Sequence, residues 1–340
     1  MVKSKNINNK FKYRELCEKE KTIPIFSKDW WMNAVCGENN WNVLLVEKGG
    51  QIVASLPYFL RKRDKRRYIT QPLLTQTNGI WIKHPPNQKY CKKLAYEKKV
   101  MKEIISQLDE LNLDYYNQNF HYSVTNWLPF YWKGFKQTTR YTYVIEDLEN
   151  LDDIYKEFDP NLRNDIKKAK RNVIIKQDCD IETFYKINSK TFERKNLNVS
   201  FSLKFLEKLD KVCKKNNCSK IFYAVDKFEN IYAAIFIIWD ENMAYYLLGG
   251  AVPKHRNSQA TSLLMSEAIK YSSKVTKMFN FEGTMIEPVE KFFRAFGAIQ
   301  KPYFNISKNY RKENIFKIIA RDIYDYYPIL RKTYHKIKRR

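Results

Sequence analysis

The sequence predicts an α/β chain of two tandem domains, each a mixed, mostly antiparallel sheet flanked by helices. Three observations carry that reading: the length, a hairpin signal that occurs twice, and a similar order of elements around each copy. A chain of 340 residues suffices for about two domains of ordinary size. With 44% hydrophobic residues it can fill two cores, and 9 Gly and 11 Pro are too few for a disordered or fibrous chain.

The repeat aligns without a gap. Val46-Glu47-Lys48-Gly49-Gly50-Gln51-Ile52-Val53-Ala54-Ser55-Leu56 matches Val225-Asp226-Lys227-Phe228-Glu229-Asn230-Ile231-Tyr232-Ala233-Ala234-Ile235, 179 residues further on. Each copy has Val, an acid, Lys, two turn residues, an amide and Ile, then Ala and an aliphatic residue. Strand, turn and strand in that order predict a hairpin, and the spacing of about one domain length predicts a duplication.

The elements follow from pattern and caps. In the first half the sequence predicts a helix over residues 27–36 with Ser27 as N-cap, and strands over 42–47 and 51–61. A basic knot at 61–67 turns the chain towards a strand at 68–70. Apolar residues at Leu94, Val100, Ile104, Ile105 and Leu108 predict a helix over 88–111, with strands near 115–124 and 141–145 closing the half. In the second half, helices are expected over 151–158, 162–172, 181–194 and 202–216, the last capped by Ser202. The second hairpin (220–225 and 230–239), a strand at 243–249, a helix at 258–273, a strand at 277–281, a short helix at 288–296 and a strand at 302–306 complete it. The domain boundaries expected are 1–148 and 149–311, followed by a basic, aromatic tail at 312–340.

The formal charge of +25 favours anionic partners: nucleic acid, phosphorylated cofactors or an anionic membrane surface. The excess is spread along the chain, which also fits a Lys- and Asn-rich genomic composition. The six cysteines form no CxxC pair and the four histidines are scattered, so neither a structural zinc site nor any other metal is expected. No apolar run approaches the roughly 18 residues of a membrane helix, and the N-terminus lacks the apolar stretch of a signal peptide. A cytoplasmic protein is therefore expected. In the tail, Tyr324, Tyr326, Tyr327 and Tyr334 alternate with Arg331, Lys332, Lys336 and Lys338. Such a segment suits peripheral contact with the inner face of a membrane, contact with RNA, or a packed terminal helix.

Several segments resemble FemAB-type proteins of the GNAT superfamily. Asp159-Pro160-Asn161-Leu162-Arg163-Asn164-Asp165-Ile166-Lys167-Lys168-Ala169 is similar to that family's "RN-IRKA" segment, and Thr191-Phe192-Glu193-Arg194 to its "T-x-x-R" helix end. Phe279-Asn280-Phe281-Glu282-Gly283-Thr284 and Phe292-Phe293-Arg294-Ala295-Phe296-Gly297 resemble its "FDFEGS … FFRxFG" ending, and 127–143 resembles its junction between halves. Together these cover about half the chain. The resemblance implies two GNAT-like domains and transfer of an acyl group, acetyl first among them, to an amine or hydroxyl of a cell-envelope precursor or glycan. Acetyl-CoA or a longer acyl-CoA is the implied donor. Aminoacyl-tRNA is the alternative, although the coiled-coil insertion common in tRNA-using members has no counterpart heptad run here. A third reading is a non-catalytic RNA- or membrane-binding module on a degenerate GNAT scaffold. Oligomeric state is not legible.

The GNAT resemblance also implies roles for particular residues. The strand after the second hairpin should splay from its neighbour and offer backbone N–H groups to the donor, which places Leu248, Gly249 and Gly250 at the cofactor; the two glycines equally fit a plain strand end. The next helix should aim its N-terminus at phosphates, with Lys254, His255 and Arg256 as contacts. Here the family loop "[RQ]xxGx[GA]" is altered, with Gln259 and Thr261 in place of its small residues. Glu282, at the end of an apolar strand, is the candidate general base, or else caps its turn or pairs with Arg294. Tyr303 is the candidate proton donor. Arg163, Lys167, Arg194 and Arg294 are candidates for holding the acceptor, or form surface ion pairs.

Overall fold

The computed structural model describes residues 2–193 and 198–311. Arg194 and the tail at 312–340 lie outside the described residues, as do the side chains of 2–7 and of Arg256. Among the described residues the chain divides into two compact units, 2–142 with 301–311, and 143–300.

In the first unit, α1 (Val2–Lys19) and α2 (Asp29–Cys36) precede β1 (Trp41–Lys48), β2 (Gln51–Arg63), β3 (Arg66–Thr70) and β4 (Trp81–Ile82). Then come α3 (Tyr90–Glu110), β5 (Tyr115–Asn119), α4 (Leu128–Tyr131) and β6 (Lys136–Ile145), whose last residues enter the second unit. β1, β2 and β3 pair antiparallel, β4 adds to β2, and β5 joins β3 in parallel after the α3 crossover. One sheet face is covered by α3, whose Val100, Met101, Ile104, Ile105 and Leu108 are buried against Leu44, Val46, Ala54 and Leu56. α1 and α2 cover the other face, with Tyr13, Cys17, Met32 and Cys36 packed on Trp41, Val43 and Leu45. Ser27, expected as an N-cap, is instead buried before Lys28, the residue that caps α2 without a side-chain bond. The Ser27 carbonyl accepts a hydrogen bond from the buried Tyr13 hydroxyl at 2.6 Å, so its position is set by packing.

In the second unit, α5 (Leu151–Glu157), α6 (Pro160–Ala169), β7 (Ile174–Gln177), α7 (Ile181–Glu193) and α8 (Leu203–Lys215) lead to β8 (Ser219–Val225), β9 (Ile231–Trp239) and β10 (Met243–Ala251). A 3-10 segment, Pro253–Ser258, feeds α9 (Ala260–Ser272), then β11 (Met278–Gly283), α10 (Glu287–Arg294) and β12 (Ile299–Asn309). Its sheet order is β11-β10-β9-β8-β7, antiparallel except for the β10–β11 pair. β9 is buried on both faces from Ala233 to Ile238, as a strand covered on both sides must be. Ala233, Ile235 and Ile237 meet Leu263, Leu264 and Ala268 of α9 and Leu162 and Ile166 of α6 in one cluster. Phe236, on the other face, meets Phe184 of α7 edge-on at 5.7 Å. Ser202 caps α8 by accepting from the Phe205 N–H at 3.2 Å.

The units share a plan: an antiparallel hairpin, a third antiparallel strand, a helix, and a parallel return strand. Ile52 and Ala54 flank a register shift on the second hairpin strand, as do Ile231 and Ala233, although their partners on the first strand, Glu47 and Val46 against Val225 and Ala224, are offset by one residue in the repeat. The register skips one residue at Val53 in one unit and at Tyr232 in the other, 179 positions apart.

Beyond the β3–β5 pairing, the first unit closes itself. The Asn119 N–H donates to Gln71 Oε1 at 2.9 Å, Asn119 Nδ2 to the Gln76 carbonyl at 2.8 Å, and Gln118 Nε2 to Asn78 Oδ1 at 3.1 Å. Gly79 completes this plug, because a Cβ there would lie 2.1 Å from the ring of buried Phe120. Gly79→Ala is therefore expected to lower stability by about 1–3 kcal/mol, the usual cost of overpacking. Chemical denaturation measures this, and an unchanged midpoint would show that the plug yields freely.

Candidate active site

In the second unit the corresponding strands part early. β10 and β11 pair in parallel only at Met243–Met278, Ala244–Phe279 and Tyr245–Asn280. From Tyr246 to Ala251, β10 pairs with β9 alone, and its register shifts between Tyr246 and Leu248. Such an irregularity bends a strand and re-aims its side chains. Tyr246 thus stands on one arm of the gap, and Glu282 on the other.

The β10 arm is held from behind by α7. Asn188 Nδ2 donates to the Gly249 carbonyl at 2.7 Å, and the Ala251 N–H donates to Thr191 Oγ1 at 3.1 Å. A Cβ on Gly250 would come within 2.6 Å of the Asn188 Cα, and one on Gly249 within 2.0 Å of the Tyr246 hydroxyl. Gly250 is therefore required by its close approach to the backbone of α7, whereas Gly249 lies under the Tyr246 side chain. Asn188 is 1% exposed, and its Oδ1 has no hydrogen-bond partner. Asn188 and Thr191 escaped the sequence reading as site residues. Their signal was an amide and a hydroxyl at i and i+3 on the stripe that also buries Phe184 and Ile187.

Glu282 has a left-handed backbone (φ 64°), held by its N–H donating to Asn280 Oδ1 at 2.8 Å. This conformation is uncommon for a residue with a side chain and clusters at functional sites. Its Oε1 is buried without a hydrogen-bond partner, and burial pushes the carboxyl well above the usual carboxylate range. Arg294 pairs with Glu290 at 3.0 Å instead, and Glu290 also accepts from the Tyr143 hydroxyl at 3.0 Å.

A cleft of about 860 Å³ opens beside the gap. Tyr246 lines it together with Gln259, Thr261 and Ser262 from the start of α9, Phe292 and Phe293 from α10, and Asp165 from α6. The Tyr246 ring meets Phe293 edge-on at 5.9 Å, and Phe293 meets Phe281 at 5.3 Å, so aromatic contacts join the cleft to the strand bearing Glu282. Burial pushes the Tyr246 hydroxyl up to about 12. It therefore holds its proton at neutral pH.

The remaining sequence candidates fall in different places. Leu248, Gly249 and Gly250 lie on the freed part of β10. Lys254, His255 and Arg256 lie on the 3-10 segment before α9; Lys254 is exposed, and His255 stacks flat on Tyr232 with centroids 4.0 Å apart. Neither Lys254 nor His255 lines the cleft, and Gln259, with a left-handed backbone, is the N-cap of α9. Of the candidate acceptor cations, Arg294 lines the cleft, whereas Arg163 and Lys167 of α6 do not. Glu282 is not a lining residue. Tyr303 is buried on the part of β12 that belongs to the first unit, and it lines no part of this cleft.

No family model matches the chain, and no curated protein matches it by sequence. Solved structures do match. FemX is similar with a TM-score of 0.66 and 11% identity, over 87% of this chain and 95% of that one. The C-terminal domain of a putative lysylphosphatidylglycerol synthetase from Agrobacterium fabrum gives 0.53 and 9% over 89% and 93%. A tandem GNAT protein from the clavulanic acid biosynthesis pathway gives 0.51 and 11% over 91% and 97%. The chain therefore has the tandem GNAT, FemAB-like fold.

The buried carboxyl makes stability depend on pH. Folding raises the Glu282 pKa, so above the unfolded value of about 4.3 the native state binds more protons than the unfolded chain. This residue's contribution therefore falls as pH rises through that window and levels off above the folded pKa. Glu282→Gln removes it, so the variant is expected to gain stability over wild type progressively as pH rises. Denaturation curves from pH 5 to 9 measure the difference, and a gap independent of pH would refute the buried, uncompensated carboxyl.

Proposed function

We propose that the protein is an acyltransferase whose reaction takes place where β10 parts from β11, and that it moves an acyl group from an activated ester or thioester to an amine or hydroxyl. The observation that carries this reading is the pair of proton-handling groups on the two arms, Tyr246 and Glu282, beside a cleft in a tandem GNAT fold. An amine attacks the donor carbonyl; the N–C bond forms and the C–S or C–O bond breaks. Glu282, when ionised, receives the proton lost by the amine. Tyr246 supplies a proton to the departing thiolate or alkoxide and regains one from solvent. Leu248, Gly249 and Gly250 form the backbone arm against which the donor lies. A raised carboxyl pKa makes Glu282 a stronger base and moves the acidic limb of the rate profile towards neutrality.

Two classes of donor suit the residues around the gap and the cleft. Lys254, His255 and Arg256 near α9 suit an acyl-CoA such as acetyl-CoA, as does the tandem GNAT neighbour, described in its form without AcCoA. A second reading, an aminoacyl ester such as aminoacyl-tRNA, draws on the acids of the cleft. Glu157, Asp159 and Asp165 line it against Lys291 and Arg294, and Arg294 is already paired. Carboxylates repel a pyrophosphate and attract the ammonium of an amino acid. The lysylphosphatidylglycerol synthetase neighbour supports this reading, and the resemblance of the sequence to FemAB-type proteins supports a cell-envelope acceptor. We place the reaction in the cytoplasm, with the basic tail at 312–340 at the inner face of the membrane.

Thermal shifts with acetyl-CoA and with a non-hydrolysable 3′-lysylamido-adenosine discriminate the donors, since a ligand at 100 times its Kd stabilises by about 2.7 kcal/mol. With an aminoacyl donor, Asp165→Asn should weaken the adenosine analogue and leave acetyl-CoA without effect; stabilisation by acetyl-CoA alone rejects that donor.

With the donor in hand, Tyr246→Phe and Glu282→Gln should each lower kcat by about 100-fold or more, within the range of general acid–base catalysis. Glu282→Gln should also flatten the acidic limb. Folded variants that keep the wild-type kcat would sink the acid–base assignment.

A further inference from the structure

In the first unit, the short helix α4 displays large apolar side chains in an unusual way. Leu128, Tyr131 and Trp132 are 51%, 59% and 52% exposed. Their i, i+3, i+4 spacing places them on one helical face. Phe130 faces the other way, fully buried, with its ring 5.2 Å from Phe120 and 5.1 Å from Phe135. The turn is thus pinned from beneath while its apolar face stands in solvent. Gly134, at φ 77°, lets the chain reverse so that Phe135 returns to the core. Single exposed apolar residues are ordinary, whereas a contiguous group marks a surface that is covered in use.

Lysines stand beside it. Lys98 of α3 holds its ammonium 5.1 Å from the centroid of the Trp132 ring, and Lys133 and Lys136 are exposed on either side of Gly134. Glu97, the acid beside Lys98, is turned inward, bound to His84 at 2.9 Å and to Asn126 at 3.0 Å. Trp and Tyr with Leu, ringed by lysines, match the interface of an anionic bilayer, where aromatic rings sit at headgroup depth and lysines meet the lipid phosphates. A second copy of the chain fits worse, because a two-fold contact through this face sets lysines against lysines. We propose that the α4 face, Leu128, Tyr131 and Trp132 with Lys98, Lys133 and Lys136, is a docking surface for an anionic lipid membrane. The proposal draws on no residue of the basic tail and does not depend on the reaction proposed above.

The test uses the full chain and vesicles of phosphatidylcholine alone or mixed equally with phosphatidylglycerol. Wild type should co-sediment with the mixed vesicles, and the triple variant L128S/Y131S/W132S should bind them at least tenfold more weakly while keeping every charge. The variant K98A/K133A/K136A should also lose binding, and brominated lipid should quench wild-type tryptophan fluorescence more than that of the serine variant. If the serine triple does not fold, Trp132→Ser alone is expected to weaken binding severalfold. Serine variants that bind the mixed vesicles as tightly as wild type would overturn the proposal and leave charge alone as the attraction. Lipid-free wild type that dimerises while the serine variant stays monomeric would overturn it in favour of a contact between copies.

Discussion

Where β10 leaves β11, the sheet forgoes the hydrogen bonds that a longer parallel pair would make, and everything at the candidate site follows from how that loss is met. Asn188 and Thr191 of α7 satisfy the Gly249 carbonyl and the Ala251 N–H from one side. Unpaired backbone groups in a protein interior cost about as much as a lost hydrogen bond, so these two side chains let the strand part without a large penalty. Gly250 is the geometric condition for it, since a side chain there would collide with the backbone of α7. The same constraint leaves Glu282 with a buried, unpartnered oxygen. Burial without a partner penalises the ionised form, which is why the carboxyl is pushed towards its neutral state.

The two units show one topology carrying two outcomes. In the first, Gln71, Asn78, Gln118 and Asn119 fill the space beyond the parallel strands with hydrogen bonds among themselves and with the backbone. In the second, the matching place is bordered by a cleft. A fold alone does not fix function; side chains at one strand end do.

Much of this was legible in the sequence because it rests on local rules. The α3 stripe from Val100 to Leu108 and the Ser202 cap are short-range patterns with strong physical causes. α1 was not legible: it is mostly polar and has no long apolar stripe to mark it. β7 has four residues, too few to show alternation, and exists because β8 offers it an edge. Around the candidate site, β11 was readable from its apolar run, and Glu282 at its end is a candidate that the family-like motif supplied. Tyr246 and Asn188 were not, because their importance comes from where β10 and β11 part and from a long-range bond to Gly249. Ser27 shows the opposite failure: a good capping residue was outcompeted by packing against Tyr13.

The segment Lys301–Asn309 of β12 lies against β5, pairing Asn305 with Asn119 and Asn309 with Tyr115, and it belongs to the first unit although the whole second unit precedes it in the chain. During synthesis the ribosome therefore releases nearly all of the protein before the first unit can be completed. Until then β5 presents an open edge, an invitation to wrong partners that a nascent chain must survive. The second unit, contiguous from 143 to 300, has no such wait and can assemble first. The earliest residues of the chain thus wait longest for the strand that completes their sheet, whereas residues 143–300 need nothing that comes after them in sequence to pair β7 through β11.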